Sequence, residues 1–184
     1  MQINEHMDGG PILAQRQTAI GADENAEALT ARLFELGGRL LVEVLPGWGS
    51  GDVQPRPQDE SRATVTGRLT RDDGRIEWGR PAAHIARQVR AYHPWPGAFT
   101  RWQGRMLKVT EASAAGDGPA VHPAPGLVGS MEDGSLAIGT GDGLLVVRRL
   151  QLEGKRAIGA RDFVAGHPDV VGATFGWTQG IDEA

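Results

Sequence analysis

Residues 80–100 read RPAAHIARQVRAYHPWPGAFT, and the chain changes its period inside that stretch. Pro81 suits the first turn of a helix, where a missing N–H costs nothing and φ is already helical. Ile85 and Val89 then share one face, while Arg87 and Arg90, three apart, fall on another that meets water. Pro94 must end the helix, because the residue before a proline is driven out of the helical region. From Ala98 onward, AFTRW and RMLKVTEA flank Gln103-Gly104 as the two arms of a hairpin. A helix before this junction and short strands after it set the fold. Trp95, between Pro94 and Pro96, reads as a large buried anchor between helix and strands, in preference to a base-stacking aromatic.

Toward the C-terminus, a Pro-rich loop, DGPAVHPAPG, is followed by GLVGSM, SLAIGT and LLVVRRLQL. Turns at Asp133-Gly134 and Asp142-Gly143 separate these runs, and such spacing predicts a small barrel or sandwich. Toward the N-terminus, residues 61–80 read as an extended connector with a turn at Asp72-Asp73-Gly74. PGWGSGDVQPRPQDE (46–60) is loop. NAEALTARLFELGGRLLVEVL is a helix capped by Asp23, with Leu29, Leu33, Leu36, Leu40 and Val44 along one face and Pro46 as its stop. Gly37 and Gly38 inside it mark close packing or a break. Before it, ILAQRQTAI has a strand-like mix.

The 184 residues include no cysteine, which removes disulfides, thiolate metal sites and redox motifs. No apolar run approaches a membrane span and no secretory signal is present, so a soluble cytoplasmic protein with no membrane partner is expected. Net charge is −4, unevenly spread. Residues 1–60 hold four Arg against ten acids, whereas residues 61–108 hold nine Arg and Lys108 against Asp72, Asp73 and Glu77. Arg148, Arg149, Lys155, Arg156 and Arg161 form a second basic stretch against Glu153. Two basic stretches behind an acidic first third suit contact with a polyanion; the plainer reading is a solvated arginine-rich face.

TGDG (140–143) lies between two strands and lacks the phosphate-loop pattern, so it is a hairpin turn. The five histidines are scattered and give no metal site. No serine has a nucleophile-elbow context. Near the start, MDGGPI (7–12) places Asp8 on a sharp turn, where the glycines permit positive φ and close approach and Pro11 fixes the exit. In isolation Asp8 is an ordinary turn carboxylate.

INEHMDGGPILAQ, PQDESRATVTGRLTRDDGRIEW, RPAAHIARQVRAYHPWPGAFT, LKV, TGDG and GKRAIGARDFVAGH, in this order, resemble the C-terminal half of the methionyl-tRNA formyltransferase family. The resemblance covers nearly the whole chain. PWPGAF and RIEW are specific to the family, and the D-x-G-P turn is shared by folate-dependent formyltransferases. Val65, Gly67 and Arg68 depart from the usual Tyr, Pro and Lys, His93 replaces an Asn, and Gly159 stands where a capping Ser is common.

The resemblance implies an α/β fragment of a Rossmann-like formyltransferase domain (1–60), a linker (61–80), and an OB-like all-β barrel with a flanking helix (81–184). It implies formyl transfer from 10-formyltetrahydrofolate to initiator methionyl-tRNA, with no metal and a monomeric enzyme. Of the family's Asn, His and Asp, only the Asp is matched, at Asp8, which would orient the His and a water; Asp8 and Gly9 would border the folate donor. His6 lies outside the motif. The Asn and His would fall before Met1, so the chain reads as truncated, with an isolated chain inactive in formyl transfer. Arg87, Arg90, Arg101, Lys108, Lys155 and Arg156 are the tRNA-binding candidates, chosen by local charge. The alternative is a stand-alone RNA-binding module without catalysis. A sugar-nucleotide formyltransferase shares the Asp8 turn but leaves PWPGAF and the basic strands without explanation.

Overall fold

The computed structural model describes residues 1–115 and 123–177, and its chain divides into two compact units, the first ending at Arg68 and the second starting at Leu69. The first part of the expected Pro-rich loop, through His122, lies outside the described residues. Among the described residues no helix is long and apolar enough to cross a membrane.

The first unit is built on one long helix, α1 (Ala26–Ser50). Asn25, not Asp23, is its N-cap: the Asn25 side chain accepts from the Ala28 N–H at 2.9 Å. Pro46 does not stop it. The helix runs on to Ser50 and ends at Gly51, whose φ of 84° gives the left-handed cap. Pro46 therefore removes one intrahelical bond, to the Val42 carbonyl, on a surface where Val42 is open to water. Leu29, Leu36, Leu40 and Val44 form the half-buried face, but Leu33 is turned out. Gly37 and Gly38 neither pack closely nor break the helix, for an added Cβ would meet nothing within 4 Å. The expected strand over 12–20 does not form. Only Ile12 pairs, with Arg56, because among the described residues no segment lies beside residues 13–20 as a ladder partner.

The second unit holds the core. Helix α2 (Ala82–Ala91) buries Ala82, Ile85, Ala86 and Val89 and stops ahead of Pro94. The hairpin follows as β1 (Ala98–Trp102) and β2 (Arg105–Ala114), joined through Gln103 and Gly104, both at positive φ, as a twist-compatible two-residue turn requires. β3 (Val128–Ser130), β4 (Leu136–Gly139) and β5 (Leu144–Leu152) come next, with Gly134 and Gly143 at positive φ in the intervening turns. A short β6 (Ile158–Gly159) leads into α3 (Ala160–Gly166), whose cap Gly159 offers no side chain to its N-terminus.

All pairings between the six strands are antiparallel, and the sheet is an open path, β1-β2-β5-β4-β3, with β6 on the flank of β5. No strand pairing closes it into a barrel among the described residues. Leu107, Val109, Leu136, Ile138, Leu145, Val147, Leu150 and Leu152 point to one side, where α2, Trp78, Trp102, Phe163 and Phe175 cover them. Trp95 is not part of that core. It is 60% exposed, and its neighbour Pro96 is the buried residue. The peptide bonds preceding Pro94 and Pro96 are cis. Gly74, in the short turn 72–74, abuts the start of β1 so closely that a Cβ would sit 2.1 Å from the Gly97 carbonyl oxygen.

Candidate functional site

Asp8 sits on the turn expected of it, with one difference. The positive φ falls on Asp8 itself, at 54°, and not on Gly9 or Gly10. Aspartate tolerates this region better than most residues because its short side chain is compatible with it. Gly10 is needed for proximity: a Cβ there would lie 1.8 Å from the Gln2 carbonyl oxygen. Gln2 N–H donates to the Pro11 carbonyl at 2.9 Å, so the chain doubles back tightly around the turn. The Asp8 carboxylate makes no hydrogen bond within the described residues and faces solvent. Gly9 is beside it, with its N–H donating to the His6 carbonyl at 3.3 Å.

The other side of the turn is residue 58. Gln58 Nε2 donates to the Asp8 carbonyl at 2.7 Å and to the Gly10 carbonyl at 2.8 Å. The antiparallel Ile12–Arg56 pair, with N–O distances of 2.8 and 2.9 Å, delivers Gln58 to this position. Sequence gave no hint of it, since a glutamine in PRPQDE is unremarkable until the pairing at Ile12 is seen.

Farther along the first unit, Arg32 ties the segment ahead of α1 to the helix. Its guanidinium bonds both Glu24 oxygens, Thr18 Oγ1 and the Ala19 carbonyl. The Arg32 bonds, with the Gly21 N–H, pull the Glu24 carboxyl down from 4.5 to about 2.

The six basic candidates divide into two groups. Arg87 is exposed on α2 and lines an open cleft of about 700 Å³ with Arg75, Glu77, Arg80, His84 and Trp177. Arg90 is half-buried and folds back onto the Ala86 carbonyl at 3.3 Å. On the sheet, Lys108 faces Phe99 across the hairpin and Arg101 is two residues along β1, so both lie on the face opposite the core. Lys108 also faces Gln151 across β2–β5, and the Gln151 amide donates to the Lys155 carbonyl at 2.7 Å. The Lys155–Arg156 turn, exposed, is thereby tied to the same face.

Arg148 and Arg149 belong to the second basic stretch but not to the six candidates, and both are exposed. Leu145 and Val147 point inward, then Leu150 and Leu152 do, so the strand changes parity between them where its register with β2 shifts. The signal was present as the RR interrupting LLVVRRLQL. Among the described residues no three His, Asp or Glu side chains gather as metal ligands.

The face opposite the core is itself partly covered, since Phe99 is buried there against Trp177 and Arg101 stacks over the same ring. An antiparallel sheet flanked by short helices, with cations on that second face, leads to the class: residues 68–168 match the family described as Formyl transferase, C-terminal domain, and the chain belongs to it. Its relatives sharpen this. It is 45% identical over 166 residues to the methionyl-tRNA formyltransferase of Roseiflexus castenholzii, covering 90% of this chain and 52% of that protein. Against the methionyl-tRNA formyltransferase of Myxococcus xanthus it is 40% identical over 167 residues, covering 91% and 52%. The chain thus spans about half the length of these relatives. Its fold is also that of a segment of HypX from Aquifex aeolicus, solved in complex with tetrahydrofolic acid, with a TM-score of 0.67 at 20% identity over 91% of this chain and 29% of that one.

Proposed function

We propose that this chain serves in the transfer of a formyl group from 10-formyltetrahydrofolate to the amino group of initiator methionyl-tRNA, the step that prepares that tRNA for translation initiation. The observation that carries the reading is the 45% identity over 166 residues. Residues 69–184 number only 116, so at least 50 aligned residues fall in the first unit. In this reading residues 1–60 belong to a catalytic domain, 61–80 form the linker, and 81–184 are an OB-like tRNA-binding domain. Single bridges, Arg75–Phe99 and Leu127–Thr174, add a neighbour at each edge of the open sheet.

The chemistry needs a neutral amine to attack the formyl carbon, and a proton must leave that amine. The folate supplies the formyl group when bound. What this chain offers there is the Asp8 carboxylate, exposed and without a hydrogen-bond partner among the described residues, beside Gly9, which adds no bulk. A carboxylate so placed can hold a water or an imidazolium and help carry the proton away. It fits an acid–base role on the amine.

Arg101, Lys108, Lys155 and Arg156 supply a phosphate-binding face that positions the tRNA without reading its sequence. Arg87, at the mouth of the α2 cleft, and Arg90 extend the positive surface along the helix. The test is binding of initiator tRNA by the whole chain over a range of salt. Arg156→Ala should weaken binding and reduce the log–log salt slope by about 1. An unchanged slope would remove Arg156 from the interface, and no salt-dependent tRNA binding by the parent chain would overturn the reading.

A further inference from the structure

Residues 6–10 are held to the rest of their unit in an unusual way. Ile3 and Met7 are 98% and 95% exposed, so no apolar burial secures the turn. Within the segment, the bonds are local, from Gly9 to His6 and from His6 to the Asn4 side chain. Beyond residue 11, the only hydrogen bonds reaching residues 6–10, among the described residues, are the two from Gln58 Nε2 to the Asp8 and Gly10 carbonyls. A left-handed conformation costs a non-glycine residue about 1 kcal/mol, and a lone turn so strained relaxes unless something over-determines it.

We infer that Gln58 is the positioning residue for Asp8: its amide bridges the carbonyls on either side of Gly9 and keeps the carboxylate at a fixed bearing. The inference rests on the formyl-transfer reading, which makes Asp8 the group worth holding. Amide chemistry leaves one orientation. Both protons of the NH₂ are needed to meet two carbonyl oxygens, and the reversed amide would set oxygen against oxygen. A carboxylate at the same position would repel both. A neutral carboxylic acid there has a single O–H and can restore one bond of the two.

That difference provides the experiment, run by NMR on the whole chain with the parent, Gln58→Ala and Gln58→Glu, each at pH 7 and pH 3. In the parent, Asp8 should show the strong intraresidue HN–Hα NOE of a positive-φ residue at both pH values. Gln58→Ala should lose it, with exchange of the Gly9 amide rising about 10-fold, the factor expected for two exposed hydrogen bonds. Gln58→Glu should match Ala at pH 7 and recover in part at pH 3, below the ordinary glutamate pKa, where Ala does not. Throughout, the Ile12–Arg56 bonds and the helicity of α1 should stay intact. Survival of the Asp8 signature in Gln58→Ala overturns the inference, as does a Glu variant with no recovery at low pH. Loss of the Ile12 pair or of α1 along with the turn also overturns it, by making Gln58 a general scaffold residue. Failure of tRNA binding would sink the functional reading and leave these spectra unchanged.

Discussion

Arg32 shows how one side chain can organise a segment that has no secondary structure. It gathers Thr18, Ala19 and Glu24 around one guanidinium, at the point where an extended strap meets α1. The Glu24 carboxyl is held at about 2, below the ordinary glutamate value of 4.5. A carboxyl depressed on folding stabilises the folded form above the unfolded value, and that contribution is lost as pH falls from 4.5 toward 2. Arg32→Ala should return the Glu24 titration, followed by carboxyl ¹³C shift, toward 4.5 and abolish this acid-side dependence; a Glu24 that still titrates near 2 would place the cause elsewhere. At this scale the sequence was legible where a residue acts through its neighbours in the chain. MDGGPI announced the turn and Gly104, Gly134 and Gly143 announced theirs. It was silent where a residue acts across the chain. Gln58 is 50 residues from Asp8, and nothing local marks the pair.

Elements were legible when proline and turn residues bounded them. Helix α2 between Pro81 and Pro94, and the β1–β2 hairpin around Gln103-Gly104, lie where their residues placed them. Pro46 misled, because a proline near the end of an exposed helix costs one bond and the next four residues can still close the final turn. Trp95 misled too. Anchoring falls instead to Trp78, whose indole donates to buried Thr100 at 3.1 Å, and to Trp102, edge-on to Phe163 at 5.6 Å. Within the sheet, Leu107 on β2 is wholly buried at the centre of the core. Leu107→Ala should cost about 2–5 kcal/mol. The check is the urea midpoint of near-ultraviolet dichroism, which should fall while the α1 signal at 222 nm retains its own transition. A common shift of both would show that α1 and the sheet unfold as one.

Among the described residues, every buried hydrophobic side chain comes from Ile76 or later, and the first 68 residues contribute none. Residues 64–69, exposed throughout, make no hydrogen bond among the described residues. Limited trypsin treatment should therefore cut first after Arg68 or Arg62, and a fragment beginning near Leu69 should keep its tertiary dichroism. Earlier cleavage inside residues 123–170 would contradict that order. The sheet's open path was not legible, since strand spacing shows how many strands there are and not whether the last pairs with the first. One feature of α1 reaches beyond folding. Phe34, Leu41, Val42, Leu45 and Trp48 all stand largely in water along the helix, beside two glycines that leave the surface bare. An oily ridge left open to water gives the first unit a surface-active face, whatever the second unit carries. The chain should collect at air–water boundaries, bind hydrophobic dyes while fully native, and lose both habits when Phe34 and Leu41 are made polar.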